Sequence, residues 1–193
     1  LFLLAALLVA LPAAVQFRFG APPDMSDGFP VPEVDLGRYA GDWYVVAGRT
    51  TFFERNSFNP VESYRMQPGG TIGIEYTARR GGPEGERMSL RGTGFPQPEA
   101  GGAYWTVSFF GPLKFTYLVV YLDADYSRAV VVSAGGQHVW VLSREPSLEP
   151  EELKDILRRI ESVGFDTDSI RKIPQPDEPG GETYKPSGRS FAG

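Results

Sequence analysis

Eight short runs of strand-forming residues follow one another along the middle of the chain, and no helical pattern interrupts them. The runs are rich in Val, Tyr, Phe, Trp and Thr, and read DWYVVAGRT, VESYRM, TIGIEYTA, ERMSLRGTGF, AYWTVSFF, TYLVVYLD, RAVVVS and HVWVLS. Short connections, several of them containing Gly or Pro, join each run to the next. Strands arranged in this way form antiparallel meanders. The pattern therefore predicts an all-β fold, either a closed eight-stranded up-and-down barrel or a sandwich.

A barrel of eight strands has an interior that can hold one small ligand. Side chains alternate between the two faces of a strand, so each run offers two sets for the interior. On the sixth and eighth runs, the faces that mix aromatic and aliphatic side chains suit an apolar ligand. On the fifth run we favour the set that begins at Trp105 over the set that begins at Tyr104. The predicted ligand-binding residues of these strands are Tyr117, Val119, Tyr121, Trp140, Leu142, Trp105 and Phe109.

One amphipathic helix is predicted after the eight runs, in SLEPEELKDILRRIESVG. Acidic residues in its first turn and Pro150 suit the start, and Gly164 suits the end. The apolar stripe predicts that the helix packs on the outside of the sheet, and consists of Leu153, Ile156, Leu157, Ile160 and Val163. A last short run, SIRKI, is a candidate ninth strand.

The two ends of the chain differ in composition from the middle. Residues 1–19 begin with an apolar run that is typical of an export signal or of an uncleaved membrane anchor. Residues 20–30, rich in Pro, Gly and Asp, are predicted to be a linker, and residues 174–193 a disordered tail. We therefore expect one domain over residues 31–173, in a protein that is exported or tethered to a membrane by its N-terminal segment.

Composition excludes several kinds of site. The chain has no cysteine and one histidine, which excludes disulfides, thiolate metal sites and His-rich metal sites. The net charge of −5 and the absence of a basic block argue against nucleic acid as a partner. The single histidine, His138, has no nucleophile motif beside it. We therefore predict a binding protein with no catalytic residue, no metal and no cofactor.

Three short motifs occur in order along the chain. Gly41 and Trp43 lie at the start of the first run, Asp123 and Tyr126 lie between the sixth and seventh runs, and Arg144 follows the eighth. Together they resemble the motifs of the lipocalin family. The residues around them are most similar to those of the bacterial outer-membrane lipocalins and their plant and algal relatives. The resemblance covers residues 31–173. It implies an eight-stranded antiparallel barrel with a helix packed outside, and a small hydrophobic ligand.

The physics of the motifs points to the end of the barrel where the chain enters. A large rigid indole such as Trp43 can close that end, and the guanidinium of Arg144 over its face adds a cation–π contact. Arg144 also has donors for the backbone carbonyls of the entry segment VDLGRYAG. That segment is predicted to be a short helical turn capped by Asp35, and Gly41 lets it pass close to the barrel. These motif residues are therefore assigned structural roles.

The resemblance also implies a ligand and its contacts. Bacterial lipocalins of this type place one aromatic residue from each of two strands in the pocket, which matches Tyr117 and Trp140. The ligand class that follows is a fatty acid or lysophospholipid, in membrane maintenance or stress response. The loop TTFFERNSF is expected to border the open end, with Phe53 as an apolar contact and Arg55 or Arg49 meeting an anionic head group.

Two other readings of the sequence remain open. One is a lipocalin-type enzyme that modifies carotenoids or other lipids, and the other is a filled barrel with a structural or interaction role, in which the aromatics merely form a core. The loop phenylalanines are then packing residues or a partner contact. The sequence does not decide between a monomer and a dimer.

Overall fold

The computed structural model describes residues 33–176. The predicted N-terminal signal or anchor, the linker and residues 177–193 of the predicted tail lie outside the described residues.

Nine strands occur in the described part: β1 (Gly41–Arg49), β2 (Ser57–Met66), β3 (Ile72–Arg80), β4 (Arg87–Pro96), β5 (Tyr104–Phe110), β6 (Leu113–Leu122), β7 (Arg128–Val132), β8 (Val139–Ser143) and β9 (Arg171–Lys172). Two α-helices accompany them, α1 (Leu36–Tyr39) and α2 (Pro150–Ser162), with short 3-10 helices at Phe52–Glu54, Pro98–Ala100 and Ala134–Gly136.

Strands β1 to β8 form one antiparallel sheet that closes on itself. Each strand pairs with the next along the chain, and β8 pairs back onto β1, with Val45 opposite Leu142. On its other edge β1 pairs with β2, with Gly41 opposite Tyr64. Closure pairs both edges of the sheet, except where β1 and β2 diverge beyond Tyr44 and Val61. The predicted up-and-down barrel is confirmed, and the sandwich does not form.

Alternation along the strands separates two apolar cores. The inner core fills much of the barrel and consists of the buried residues Val34, Tyr39, Trp43, Val45, Tyr64, Ile72, Ile74, Ala103, Trp105, Val107, Tyr117, Val119, Ala129, Val131 and Leu142. The outer core lies beneath α2 and includes Val46, Leu118, Val120, Val130, Val132, Val139, Val141, Ile156 and Ile160. Strands β6 to β8 are thus covered on both faces, which explains their continuous apolar runs.

Helix α2 forms where the sequence predicts it and packs outside the barrel. Glu149 and Glu152 make a capping box at its start. Ile156 and Ile160 are buried against the sheet, as the apolar stripe requires. Glu152 also forms an ion pair of 2.6 Å with Arg128 on β7, which fixes the first turn of the helix to the barrel.

The last described residues complete the barrel wall where β1 and β2 diverge. Residues 171–175, here called the strap, run along β1 beyond its pairing with β2. The backbone N–H of Ile173 donates to the Val46 carbonyl at 2.9 Å, and the N–H of Asn59 on β2 donates to the Pro174 carbonyl at 2.8 Å. The Gln175 side chain adds a bond to the Val45 carbonyl. The predicted ninth strand is therefore present, as the short β9 inside this strap.

A β-bulge in β6 changes which side chains face the interior. Val119 pairs with Val131 and Tyr121 with Val130, so one extra residue of β6 lies between these pairs. As a result Tyr121 packs with the outer core, and Leu122 packs against the inner core. The prediction that Tyr121 faces the lumen is therefore wrong, because it assumed unbroken alternation along the strand.

Candidate functional site

One end of the barrel is closed by an aromatic plug that Arg144 holds in place. The guanidinium carbon of Arg144 lies 3.8 Å from the centroid of the Trp43 ring. Its nitrogens donate to the backbone carbonyls of Asp42 at 2.8 Å and of Arg38, Tyr39 and Ala40 at 3.0 Å each. Trp43 is fully buried, and its indole N–H donates to the Tyr39 carbonyl. The predicted cation–π and carbonyl contacts are both present.

The entry segment and the second motif meet at the same end. Asp35 caps α1 by accepting hydrogen bonds from the N–H groups of Gly37 and Arg38. The Tyr126 hydroxyl accepts a bond of 2.9 Å from the Asp35 N–H, and Asp123 accepts one from Tyr121. Gly41 has φ 109°, and a Cβ there would lie 3.0 Å from Arg144, so a side chain would be strained and crowded.

Apart from Tyr121, the ligand-binding residues predicted on β5, β6 and β8 fall into two groups within the lumen. Trp105, Val119 and Leu142 are fully buried. Trp105 stacks on Tyr117 with ring centroids 4.5 Å apart. These four side chains extend the packed plug inward from the closed end. The fifth strand thus faces inward with the set that we favoured.

Trp140 and Phe109, the remaining two, are only partly buried and pack at the edge of the inner core. Met88 and Leu90 of β4 are also partly exposed, and they share the inner face with their buried cross-strand partners Ala78 and Tyr76. A side chain that faces into a closed barrel reaches solvent only through the lumen. The half of the lumen away from the plug therefore has accessible apolar walls.

The mouth of this open half carries exposed aromatic side chains. Phe52 and Phe53, in the loop after β1, are 74% and 68% exposed, and Phe110 at the end of β5 is 47% exposed. The rings of Phe53 and Phe110 lie 6.3 Å apart. These phenylalanines form an apolar rim and do not pack down into the barrel.

The two arginines predicted for a head group are placed differently. Arg55 is exposed near the rim, with its guanidinium 5.5 Å from the centroid of the Phe52 ring. Arg49 lies on the outer face, paired with Asp166 at 3.0 Å and bonded to the Gln137 carbonyl. Arg49 follows the β1 bulge between Val45 and Ala47. Counted by alternation from Trp43, Arg49 would face inward, and the bulge turns it to the outer face. It anchors the segment after α2 and is not available at the mouth.

Sequence reasoning missed a carboxyl group inside the barrel. Glu62 on β2 is directly opposite Trp43 on β1 and Tyr76 on β3, both of which face inward. Residues directly opposite on neighbouring strands share a face, so the Glu62 side chain lies in the lumen. It is partly exposed, which places it at the boundary between the plug and the open half. One signal in the run VESYRM could have found it: Glu62 is two residues from Tyr64, so the two side chains share one face of the strand.

Three tyrosine hydroxyls form a chain that ends on Glu62. Tyr117 donates to Tyr64 at 2.7 Å, and Tyr64 donates to a carboxyl oxygen of Glu62. Tyr39 is 2.8 Å from the Tyr117 hydroxyl, whose own hydrogen is already used, so Tyr39 donates there. Burial raises the pKa of Tyr39, Tyr64 and Tyr117, so all three stay protonated and remain donors.

Burial also perturbs Glu62 itself. Desolvation raises the pKa of Glu62 from 4.5 to about 7, against the opposing effect of the Tyr64 hydrogen bond. Glu54, at the mouth, raises the pKa further by charge repulsion. Near neutral pH the carboxyl therefore exists in both protonation states.

His138 does not form a catalytic pair in the described part of the chain. Its backbone N–H bonds to the Ser133 hydroxyl, and its buried ring Nδ1 has no hydrogen-bond partner among residues 33–176. Its ring lies 5.9 Å from that of Trp140. No Ser–His arrangement is therefore present within those residues.

Comparison with known proteins decides the family. Residues 34–175 match the family model of the lipocalin-like domain, which covers most of the chain. The protein belongs to the lipocalin family. This confirms the resemblance seen in Gly41, Trp43, Asp123, Tyr126 and Arg144.

Relatives of this lipocalin occur in bacteria and plants. It is 33% identical over 149 residues to the outer membrane lipoprotein Blc of Vibrio cholerae. The aligned region covers 76% of this chain and 85% of the relative. It is 27% identical over 155 residues to temperature-induced lipocalin-1 of Arabidopsis thaliana, with 76% and 82% covered. Among solved structures, lobster apocrustacyanin A1 is similar with a TM-score of 0.61 at 20% identity, over 81% of this chain and 88% of that one.

Family membership carries a general function. Lipocalins bind small hydrophobic ligands, and the relatives of this chain are generally binding proteins, not enzymes. Within residues 33–176 neither α-helix has the length and apolar character that crossing a bilayer requires.

Proposed function

We propose that this lipocalin binds a single-chain lipid, a fatty acid or a lysophospholipid, with the acyl chain in the open half of the lumen. The observation that carries the proposal is the set of inward-facing apolar side chains that remain accessible between the plug and the rim, namely Trp140, Phe109, Met88 and Leu90. Burying an acyl chain there gains roughly 0.8 kcal/mol per methylene.

The mouth suits an amphiphile that enters with its chain first. The rim phenylalanines offer an apolar surface to the chain, and Arg55 offers a cation to a phosphate or carboxylate head group. Deeper in the lumen, the carboxylate of Glu62 repels a second anion when it is ionised. The head group therefore stays at the mouth and the chain points towards Glu62.

The relatives support a role at membranes. Outer membrane lipoproteins are exported and tethered, and the apolar run at the start of this sequence fits either an export signal or an anchor. We place the protein in an exported or membrane-tethered location, where it carries or scavenges single-chain lipids during membrane maintenance or stress.

Lipid extraction and tryptophan fluorescence test this function. Native mass spectrometry of the purified protein is expected to show a co-purified single-chain lipid, and added lysophosphatidylcholine is expected to change Trp140 emission with saturation. Trp140→Ala is expected to weaken binding about tenfold through lost apolar contact. Tyr104→Ala, an aromatic truncation on the outer face, serves as the matched control and leaves the affinity unchanged.

A filled barrel and a lipid-modifying enzyme predict other results. The filled barrel gives no bound lipid and no saturable spectral change. The enzyme releases a chemically altered lipid, which the same mass spectrum detects. Equal weakening by Trp140→Ala and Tyr104→Ala would argue against a ligand in the lumen.

A further inference from the structure

We propose that Glu62 forms a polar subsite inside the lumen, which takes a hydrogen-bond-donating group at the buried end of the ligand. The preferred ligands are then amphiphiles whose chain carries a hydroxyl group near its far end, in preference to plain acyl chains. This inference rests on the proposed function, because it names the chemistry that the lumen selects.

The hydrogen-bond chain leaves Glu62 with unused capacity as an acceptor. Among residues 33–176, the Tyr64 hydroxyl is the one donor that bonds to its carboxyl group, and it occupies a single oxygen. The second oxygen is not among the fully buried unpartnered atoms of that range, so it is open to the lumen. A carboxylate accepts through both oxygens. A ligand hydroxyl can therefore fill a place that the protein leaves vacant.

The three tyrosines cannot take over that role, because their hydrogens are all used within the chain. Tyr39 donates to Tyr117, Tyr117 to Tyr64 and Tyr64 to Glu62. Every donor thus points towards the carboxyl group, so while Glu62 is ionised the position left open at the end of the hydrogen-bond chain is an acceptor. The subsite consequently distinguishes donors from acceptors on the ligand.

A plain acyl chain meets a penalty at this position. Its methyl end would cover the open oxygen of Glu62 and remove water without replacing the hydrogen bond, which is unfavourable for a polar group and more so for a charged one. A hydroxyl at the same position restores the bond. A ligand carboxylate at this depth is repelled by ionised Glu62.

The depth of Glu62 sets the chain length that reaches it. Ser57 begins β2 at the mouth, and Glu62 lies five residues further along the strand. At about 3.3 Å per residue, Glu62 is roughly 16 Å along the strand from the rim, and the tilt of barrel strands makes its depth below the rim somewhat smaller. Medium-length chains with their head group at the rim therefore bring their far end to the subsite.

Two matched probes test the inference, dodecanoic acid and ω-hydroxydodecanoic acid, with Kd measured for the folded full-length protein. The unmodified protein is expected to bind the hydroxylated acid about tenfold more tightly. Glu62→Met, of similar volume and without the acceptor, is expected to lose this preference and to bind dodecanoic acid more tightly than the unmodified protein does. Glu62→Gln keeps one neutral acceptor, so its preference falls to about threefold.

Glu75→Gln is the matched control, since Glu75 is a carboxylate on the outer face of the neighbouring strand β3. It is expected to keep the full preference. Equal affinities of the unmodified protein for both acids, or a full preference in Glu62→Met, would overturn this inference alone. Binding of neither acid would overturn the proposed function together with it. If Glu62→Met does not fold, Glu62→Gln decides: a reduced preference supports the subsite, and an unchanged one overturns it.

Discussion

Glu54 accepts a hydrogen bond of 2.8 Å from the indole nitrogen of Trp140, which joins the loop at the mouth to the inner face of β8. The other carboxyl oxygen of Glu54 accepts bonds from the Thr51 N–H and hydroxyl at 2.8 and 2.6 Å. One side chain therefore fixes both the shape of the loop and the orientation of a lumen aromatic.

Removing the Glu54 side chain is expected to destabilise the loop at the mouth of the barrel. Glu54→Ala removes the acceptor of three hydrogen bonds and should lower the free energy of unfolding by about 1–2 kcal/mol. Hydrogen exchange at the backbone amides of Thr51 to Asn56 should become faster, because local opening then breaks fewer bonds. Glu84→Ala, an exposed carboxylate in the β3–β4 turn, is the control. Unchanged exchange in Glu54→Ala would contradict the link.

The plug at the closed end is expected to dominate stability. Trp43→Ala should lower the free energy of unfolding by about 3–5 kcal/mol, because it leaves a cavity beneath Arg144 and removes the cation–π contact. Chemical denaturation measures the loss. Phe53→Ala, which truncates an exposed aromatic, should change stability by less than about 0.5 kcal/mol. A Trp43→Ala variant as stable as the unmodified protein would show that the plug is dispensable.

Arg144 should not be replaceable by lysine. A guanidinium donates through several nitrogens at once, and here it reaches four carbonyls of the entry segment while it lies over the Trp43 ring. Arg144→Lys keeps the charge and loses most of these bonds, so we expect a loss of about 2 kcal/mol in thermal or chemical unfolding. Arg65→Lys, in an exposed pair with Asp42, is the comparison and should be nearly neutral.

Glu62 is expected to make stability depend on pH. Its pKa is about 7 in the folded protein and about 4.5 when unfolded, so the folded state binds the proton more strongly. The contribution to stability is therefore complete below about pH 4.5 and is lost as the pH rises through about 7. The groups that face Glu62 are Tyr64, Tyr76 and Glu54, and the tyrosines do not titrate in that range.

The measurement compares the unmodified protein with Glu62→Gln. Relative to the variant, the unmodified protein should lose up to about 3 kcal/mol of unfolding free energy between about pH 5 and about pH 8. Other titrating groups affect both proteins alike, so the difference isolates Glu62. Parallel pH profiles would mean that Glu62 is solvated well enough to titrate normally.

The fold was predictable because the strands, turns and motif residues agree with one another. Eight strand-like runs, short connections and an amphipathic helix leave few arrangements, and Trp43 and Arg144 make the entry end recognisable. The inner faces of β5 and β8 also followed from alternation, since Trp105 and Trp140 are on regular stretches of strand in contact with the inner core.

The site was less predictable, because bulges and burial decide it. Tyr121 lies beyond a bulge that a sequence pattern does not display, so alternation assigned it to the wrong face, and the bulge in β1 likewise turns Arg49 away from the mouth that its loop borders. Glu62 was missed for a different reason. A carboxylate on a half-buried strand is usually assigned to the solvent face, and only the register with Trp43 and Tyr76 places it inside.

The strap has a consequence for how the protein is made. Residues 171–175 complete the wall between β1 and β2, which are the first two strands to leave the ribosome. Until the strap has been synthesised, a chain with all eight other strands in place still has a side opening into its apolar interior. The wall of the barrel therefore becomes continuous only after residues 171–175 have been synthesised, which makes the order of synthesis the reverse of the order in which the container needs its parts.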